Sequence, residues 1–322
     1  MSDPQAVRPE PVARESGSLV ARFIRYQRER FPFAGHGLLI FTFTFSAISY
    51  SRICRGAEGF IPTGRFVVGA ITSLLLFFLL RVYDEFKDAD DDARYRPYRP
   101  VPRGLISLRE LGRIGIVVVM MQIALNGFVM PVMLPAYFLV LGYMGLMRKE
   151  FFVAAWLKKH PLLYMLSHMA VMPMIDLYTT GLDWINAGVS PPRGIEFFLV
   201  VTFLNGIVIE IGRKIRAEEG EEVGVETYSA LYGRVRATWI WIGIISLTAV
   251  SAVFAALHAG FGAAGFLVLA GLLVLCSLPA LLFLGSASSR HAKLIETASG
   301  IWTIGMYLTL GAGPMLLRLF RP

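Results

Sequence analysis

Long apolar runs alternate with short polar segments along the chain, and most runs are long enough to cross a bilayer. A spanning helix needs roughly 20 apolar residues, and nine runs come close to or reach that length. They cover residues 34–54, 64–83, 107–127, 130–147, 160–182, 193–214, 234–257, 261–284 and 296–319. Pro131 and Pro135 predict a kink in the fourth run. The pattern predicts an all-α, polytopic membrane protein with nine transmembrane helices.

The polar segment before the first run predicts a separate surface element. Between residues 18 and 33, apolar and basic side chains alternate at helical spacing. This is typical of a helix that lies on an anionic membrane surface. We therefore divide the chain into residues 1–33, a cytoplasmic tail with an amphipathic surface helix, and residues 34–322, a nine-helix transmembrane domain.

Composition agrees with a chain whose main solvent is lipid. Of its 322 residues, 55 % are hydrophobic and 17 % are charged, and the mean hydropathy is +0.59. These values exclude an ordinary soluble domain. With a cytoplasmic N-terminus, 25 of the 31 Lys and Arg residues fall on the cytoplasmic side, as the positive-inside rule requires. Topology therefore explains the net charge of +8, and we expect membrane lipid but no nucleic acid as a partner.

An acidic segment continues directly from the second apolar run and is the first candidate site. Asp84, Asp88 and Asp92 are spaced four residues apart, so a continuing helix places them on one face, roughly 6 Å apart at each step. Like charges at this spacing repel unless a cation bridges them. Carboxylate oxygens suit Mg²⁺, Mn²⁺ or Ca²⁺, whereas zinc prefers nitrogen and sulfur ligands. Mg²⁺ in particular usually keeps positions for water and substrate phosphate. A solvated loop is the alternative, but the spacing favours a metal site.

Basic side chains follow this acidic face at once and complete the candidate site. Arg94, Arg99 and Arg103 all lie within the next polar residues. An acidic face with a bound cation and a basic loop would hold a diphosphate between them. We therefore predict that these arginines bind the diphosphate of a substrate.

The acidic segment resembles the first signature of the UbiA superfamily of intramembrane prenyltransferases. That signature reads N-D-x-x-D-x-x-x-D and is followed by R-P-L-x-x-G. The chain has Asp84-Glu85-x-x-Asp88-x-x-x-Asp92 and then Arg99-Pro100-Val101-x-x-Gly104. Asp84 replaces the usual Asn and keeps an oxygen ligand. The resemblance implies nine helices around a central cavity capped by two cytoplasmic polar loops, with the three aspartates acting in catalysis and holding Mg²⁺.

The resemblance also implies a reaction. Superfamily members ionise an isoprenyl diphosphate with Mg²⁺ and transfer the prenyl group to a hydrophobic acceptor, which is aromatic or lipidic. Two other functions stay open for this chain. One is a terpene cyclase on the same scaffold, in which the substrate's own double bond attacks the cation. The other is a non-catalytic carrier of a lipid or metabolite.

A second polar segment follows the sixth run, and its frame resembles the second family motif. Gly212-Arg213-Lys214-Ile215 resembles G-R-E-I, but the segment contains no aspartate. One interpretation makes Glu210 a metal ligand and places Arg213 and Lys214 on the diphosphate as catalytic cations. The other makes Glu210 and Lys214 an internal ion pair at helical spacing. We expect Asn205, shortly before Glu210, to reach the cavity and bind the diphosphate as well.

The two polar segments end the second and sixth runs, so four crossings separate them and both face the same side of the membrane. We therefore expect them to cap one cavity. Asp176 is the strongest polar candidate inside a run, because intramembrane carboxylates are functional hypotheses by default. It either faces the acceptor or pairs with a tyrosine hydroxyl.

Overall fold

The computed structural model describes residues 16–222 and 224–320, and every regular element in these residues is helical. The α-helices are α1 (Leu19–Arg30), α2 (Phe33–Cys54), α3 (Thr63–Lys87), α4 (Ala89–Tyr95), α5 (Leu108–Val129), α6 (Leu134–Arg148), α7 (Ala154–Lys158), α8 (Pro161–Met169), α9 (Val171–Trp184), α10 (Ile195–Gly212), α11 (Tyr228–Tyr232), α12 (Arg234–His258), α13 (Ala263–Gly285), α14 (Ser289–Tyr307) and α15 (Gly313–Leu319). Short 3₁₀ turns lie at Pro131–Met133, Glu150–Phe152 and Glu218–Gly220, and a π-helical turn at Leu308–Ala312 joins α14 to α15. Residues 1–15 of the predicted tail lie outside the described residues.

The predicted all-α membrane fold is confirmed. Within the described residues, eight helices are long and apolar enough to cross a membrane. They are α2, α3, α5, α6 with its preceding 3₁₀ turn, α10, α12, α13, and α14 continued through α15. The other predicted run, residues 160–182, is divided between α8 and α9. The count of nine spans therefore stays a prediction.

A proline accounts for the break in that run. Pro173 lies in the first turn of α9, where its missing N–H is tolerated because helix starts leave such groups unpaired. Farther inside a continuous helix, the same residue would remove the hydrogen bond to the carbonyl of Met169. Hydropathy alone does not detect this boundary, since the residues on both sides are apolar.

Helices α2 and α10 pack against each other and against both α9 and α14. Tyr50 of α2 donates a hydrogen bond to the carbonyl oxygens of Gly194 and Ala255, each at 3.0 Å. Its ring stacks on Phe198 of α10 with the ring centroids 4.6 Å apart. The packed aromatic core therefore fixes the start of α10, which carries the second motif at its other end.

Gly311 in the π-helical turn permits close backbone contact with α2. A Cβ at this position would overlap the carbonyl oxygen of Ser46, and backbone cannot rotate away as a side chain can. We expect Gly311→Ala to destabilise the protein by about 2 kcal/mol, measured as thermal unfolding in detergent. Gly243→Ala is the matched control, since no neighbour lies within 4 Å of its added Cβ and alanine favours a helix. Equal stability of the two variants would contradict this contact.

Ion pairs hold helix α1 against the bundle. Arg22 lies 2.7 Å from Glu110 at the start of α5, and Arg30 lies 2.6 Å from Glu85 near the end of α3. The helix also leaves three large apolar side chains exposed. These are Leu19, Val20 and Ile24. The arrangement matches that of a helix lying on a membrane surface.

A buried ion cluster marks the end of the bundle opposite the acidic motif. Asp183 of α9 pairs with Arg52 at 2.9 Å and with Arg55 at 2.6 Å. It also accepts a hydrogen bond from the Ser51 hydroxyl at 2.9 Å. Because α3 starts near this end and carries Asp84 at its other end, the two charged regions lie on opposite faces of the bundle.

Candidate active site

The first motif lies where α3 passes into α4. The Asp88 N–H donates to the carbonyl oxygen of Asp84 at 2.9 Å, and the Asp92 N–H donates to that of Asp88 at 2.8 Å. Asp88, with φ −93° and ψ 8°, lies between the two helices, so the single continuous helix on which the predicted ladder depends is interrupted there. The side chains of Asp84 and Asp88 are 33 % and 38 % exposed, so both carboxylates are accessible to a ligand.

Asp92 differs from the other two aspartates because it is turned into the protein. Its side chain is 3 % exposed and lies 2.6 Å from Arg99 and 3.0 Å from Arg96. In the part of the chain that the structure describes, no three His, Cys, Asp or Glu side chains are grouped as a metal-ligand set. Asp84 and Asp88 are therefore partly exposed, whereas Asp92 pairs with Arg96 and Arg99. A metal-binding role for Asp92 stays a prediction.

Arg99 is expected to stabilise the fold through this buried carboxylate. Arg99→Ala leaves Asp92 with Arg96 alone, and we expect a loss of about 2 kcal/mol in the free energy of unfolding. The control is Arg94→Ala, because Arg94 is exposed and we expect a change within about 0.5 kcal/mol. Thermal unfolding in detergent compares the two variants. An Arg99→Ala variant as stable as the control would contradict the assignment.

Lys87 is a residue of this site that sequence reasoning missed. Its Nζ lies 3.9 Å from a carboxylate oxygen of Asp84 and 3.9 Å from one of Asp88, and 5.5 Å from the ring centroid of Tyr164. Arg81 contributes a further cation 3.4 Å from Asp84. The sequence offers one signal for this residue, which is its position: Lys87 stands three residues after Asp84 and directly before Asp88.

The local charges also act on the Asp88 carboxyl. Burial raises its pKa above the usual value, and Asp84 and Asp92 raise it further, while Lys87 and Arg99 oppose them. The net shift is upward, so Asp88 ionises less readily than an aspartate in water. A bound cation would relieve the repulsion between the carboxylates.

The Arg-Pro loop after α4 is fixed by its backbone. The Leu105 N–H donates to the carbonyl oxygen of Pro100 at 2.9 Å, and Gly104 has φ +83°, a conformation that favours glycine. Arg103 of this loop pairs with Glu29 of α1 at 2.7 Å. The predicted diphosphate ligand Arg103 therefore connects the loop to the surface helix.

Two other predicted diphosphate-binding residues, Arg94 and Asn205, differ in their surroundings. Arg94 is exposed, with its guanidinium 5.2 Å from the ring centroid of Tyr95. Asn205 is fully buried and lies five residues before Glu210 on α10, which places it about 7 Å deeper along the helix. Neither polar side-chain atom of Asn205 has a hydrogen-bond partner.

The second motif forms a compact ion cluster at the end of α10. Arg213 Nε donates to one Glu210 carboxylate oxygen at 2.8 Å, and Lys214 Nζ lies 2.8 Å from the other. The Lys214 head group is also 5.8 Å from the ring centroid of Tyr228. Of the two interpretations of this segment, the ion pair is the one whose contacts are present. A metal-binding role for Glu210 stays a prediction.

The two motifs meet at the same end of the bundle. The Tyr98 hydroxyl, in the first loop, donates to Glu222 of the second at 3.2 Å. Burial lowers the pKa of the Arg213 guanidinium, but the charge of Glu210 and, from the first motif, that of Asp84 raise it above its usual value. The predicted juxtaposition of the two polar loops is therefore present.

A family assignment now follows from comparison with known proteins. The model of the UbiA prenyltransferase family matches residues 39–311. The chain belongs to this family. The match covers most of the chain and confirms the predicted resemblance, so the protein is an integral-membrane prenyltransferase by family.

Individual relatives agree with the family match. The digeranylgeranylglyceryl phosphate synthase of Korarchaeum cryptofilum (strain OPF8) is 29 % identical over 265 residues, 80 % of this chain and 87 % of that protein. The apo structure of a UbiA homolog from Aeropyrum pernix K1 has a TM-score of 0.62 and 16 % identity, covering 88 % of this chain and 98 % of that one. A UbiA homolog from Archaeoglobus fulgidus, bound to GPP and Mg²⁺, has a TM-score of 0.52 and 12 % identity, covering 90 % and 99 %. The two solved structures establish similarity of fold.

Proposed function

We propose that this protein ionises an isoprenyl diphosphate where its two motifs meet and transfers the prenyl group to a hydrophobic acceptor. The observation that carries this proposal is the meeting of two unlike charge groups at one end of the bundle. Asp84 and Asp88 are open carboxylates, and Arg213 and Lys214 are basic groups from the other motif. The GPP and Mg²⁺ bound by the Archaeoglobus fulgidus homolog support the substrate and cofactor class.

The donor groups at the first motif fit a Mg²⁺ ion. The nearest cationic atoms lie 3.4 Å and 3.9 Å from the Asp84 and Asp88 carboxylates, so their oxygens keep free lone pairs. Two carboxylates with water and substrate phosphate form a usual Mg²⁺ environment. When bound, Mg²⁺ supplies positive charge that stabilises the departing diphosphate. We propose that Asp92 holds Arg99 in position beside these two ligands.

The second motif supplies further positive charge to the same step. Ionisation breaks the bond between the substrate's first carbon and a diphosphate oxygen; the electron pair leaves with the oxygen, and an allylic cation remains. Lys214 and Arg213 are placed to stabilise the negative charge that develops on the diphosphate. Glu210 holds both head groups at its carboxylate. In this proposal Glu210 positions the two basic head groups, and the positive charges of Arg213 and Lys214 take the place of a second metal ion.

We further propose that the N-terminal segment 1–33 and both motif loops lie on the cytoplasmic side. The distribution of Lys and Arg supports this orientation through the positive-inside rule. Helix α1 also packs at the motif end, where Arg30 pairs with Glu85. Its exposed apolar side chains suit contact with the inner membrane surface. Residues 34–322 then form the transmembrane domain.

Product analysis separates this function from its alternatives. Purified protein in detergent is incubated with geranyl diphosphate and Mg²⁺, with and without a panel of aromatic and lipidic alcohols. Transfer predicts a prenylated acceptor and diphosphate in equal amounts. A cyclised hydrocarbon formed without any acceptor would indicate a terpene cyclase, and binding of geranyl diphosphate without diphosphate release would indicate a carrier.

A further inference from the structure

Lys87 places one positive charge beside both proposed Mg²⁺ ligands. Its Nζ lies 3.9 Å from a carboxylate oxygen of Asp84 and 3.9 Å from one of Asp88. A charge-assisted hydrogen bond between an ammonium and a carboxylate is shorter, about 2.7–2.9 Å. At the observed distances, Lys87 therefore offsets the charge of the two carboxylates and leaves their lone pairs open to another cation.

Packing confines the Lys87 head group to this position. The side chain is 16 % exposed, and Nζ lies 5.5 Å from the ring centroid of Tyr164, whose hydroxyl also lies beside the ammonium. The Tyr164 ring stacks on His168 with the ring centroids 4.1 Å apart, and its hydroxyl donates to Glu150 at 3.3 Å. A free lysine side chain is flexible, whereas this one is held where its charge acts on the first motif.

The turn that carries Glu150 has a strained backbone. Glu150, Phe151 and Phe152 have φ values of +46°, +53° and +61°, a region that residues with a Cβ rarely adopt. Such residues persist only where their surroundings enforce them, and they cluster at functional sites. The turn buries the Glu150 carboxylate as the acceptor for the Tyr164 hydroxyl. It therefore fixes the tyrosine that confines Lys87.

The position of Lys87 has opposite effects on a metal ion and on an anion. A cation bound to Asp84 and Asp88 is repelled by the ammonium, and such repulsion is strong where the charges are close and partly shielded from water. The oxygens of a diphosphate are attracted by the same ammonium, because lysine binds phosphate as a point charge. A diphosphate held by Mg²⁺ therefore offsets the repulsion between Lys87 and the metal ion.

We propose that Lys87 opposes the binding of Mg²⁺ alone and binds the diphosphate of the substrate, so that metal ion and substrate bind together. Binding of each then strengthens binding of the other by the same factor, since coupling between two ligands is reciprocal. After the reaction, loss of the diphosphate product restores the repulsion and favours release of the metal ion. This inference rests on the proposed function, because it takes Asp84 and Asp88 as the Mg²⁺ ligands.

Two binding measurements test the role of Lys87 without requiring turnover. Full-length protein in detergent is titrated with Mg²⁺ alone and, separately, with inorganic pyrophosphate in EDTA, and the affinities are measured by calorimetry. Lys87→Met should bind Mg²⁺ about tenfold more tightly than the wild type and pyrophosphate about tenfold more weakly. Loss of a merely structural lysine would weaken both. Any result other than these opposite changes would overturn the proposal.

Lys293→Met is the matched control, because it removes a lysine that also pairs with a carboxylate but is 72 % exposed. Neither affinity should change in this variant. Thermal unfolding shows whether each variant is folded, and Mg²⁺ should raise the midpoint of Lys87→Met more than that of the wild type. Lys87→Gln removes the same charge and carries the same expectation if the methionine variant does not fold.

Two further measurements separate the possible failures. Asp88→Ala should lose the Mg²⁺ affinity of the wild type; if it kept that affinity, the ion would lie elsewhere and the proposal would be overturned. Diphosphate release by the wild type is measured separately. Release with unchanged affinities in Lys87→Met would refute the role of Lys87 alone, whereas opposite changes in the two affinities without release from any donor would refute the proposed reaction alone.

Discussion

Asp88→Ala is expected to abolish Mg²⁺-dependent release of diphosphate from geranyl diphosphate, with a loss of about a thousandfold or more. Asp88 is one of the two open carboxylates of the first motif, at 38 % exposure. Its removal leaves Asp84 as the single open metal ligand there. Because Asp88 carries a raised pKa in the folded protein, its loss should not destabilise the fold. Initial rates across a Mg²⁺ titration measure the effect, and thermal unfolding confirms that the variant is folded.

The control for this prediction comes from the same acidic segment. Asp91 is exposed on α4, and Asp91→Ala makes the same change in charge three residues away. We expect its rate and its Mg²⁺ dependence to match those of the wild type. An equal loss in both variants would show that only the net charge of the segment matters, and full activity of Asp88→Ala would remove Asp88 from the metal site.

Lys214→Met is expected to slow diphosphate release by about a hundredfold while leaving the stability of the fold nearly unchanged. The Lys214 side chain is 36 % exposed, and its ammonium group is placed to stabilise the developing negative charge. The stability should persist because Arg213 still pairs with Glu210. Single-turnover rates with geranyl diphosphate at saturating Mg²⁺ measure the effect on diphosphate release, and thermal unfolding measures the effect on stability.

Lys293→Met serves as the control for loss of a lysine that pairs with a glutamate. Lys293 lies 2.8 Å from Glu296 and is 72 % exposed, so its loss should change neither rate nor stability appreciably. Lys214→Arg should retain part of the activity, since it keeps the charge. If Lys214→Met released diphosphate at the wild-type rate, the Glu210–Lys214 pair would have a structural role only. Ionisation would then depend on the first motif alone.

Most of the fold was predictable because a membrane helix is encoded locally. Length and apolarity identify eight spans without knowledge of their neighbours. The division of residues 160–182 into two helices is equally local in cause, since Pro173 interrupts a run whose hydropathy does not change. A helix boundary inside lipid-facing sequence depends on backbone hydrogen bonding, which a hydropathy average does not report.

The site was predictable only as far as spacing determines it. The positions of Asp84 and Asp88 follow from helical periodicity, but the choice of ion-pair partners does not. Arg103 binds Glu29, 74 residues away in sequence, and Asp92 is buried against Arg99 although its spacing matches that of the open aspartates. Asn205 was placed near the second loop by its sequence position, whereas its missing partners are visible only in the packed structure.

In the proposed function, the two motifs together ionise an isoprenyl diphosphate with Mg²⁺. Diphosphate release by the purified wild-type protein tests it most directly, with geranyl, farnesyl and geranylgeranyl diphosphate, in Mg²⁺ or in EDTA, and with the acceptor panel present. We predict release from at least one donor in Mg²⁺ and none in EDTA. Release from no donor under any of these conditions, or release that is equal in Mg²⁺ and EDTA, would contradict the account.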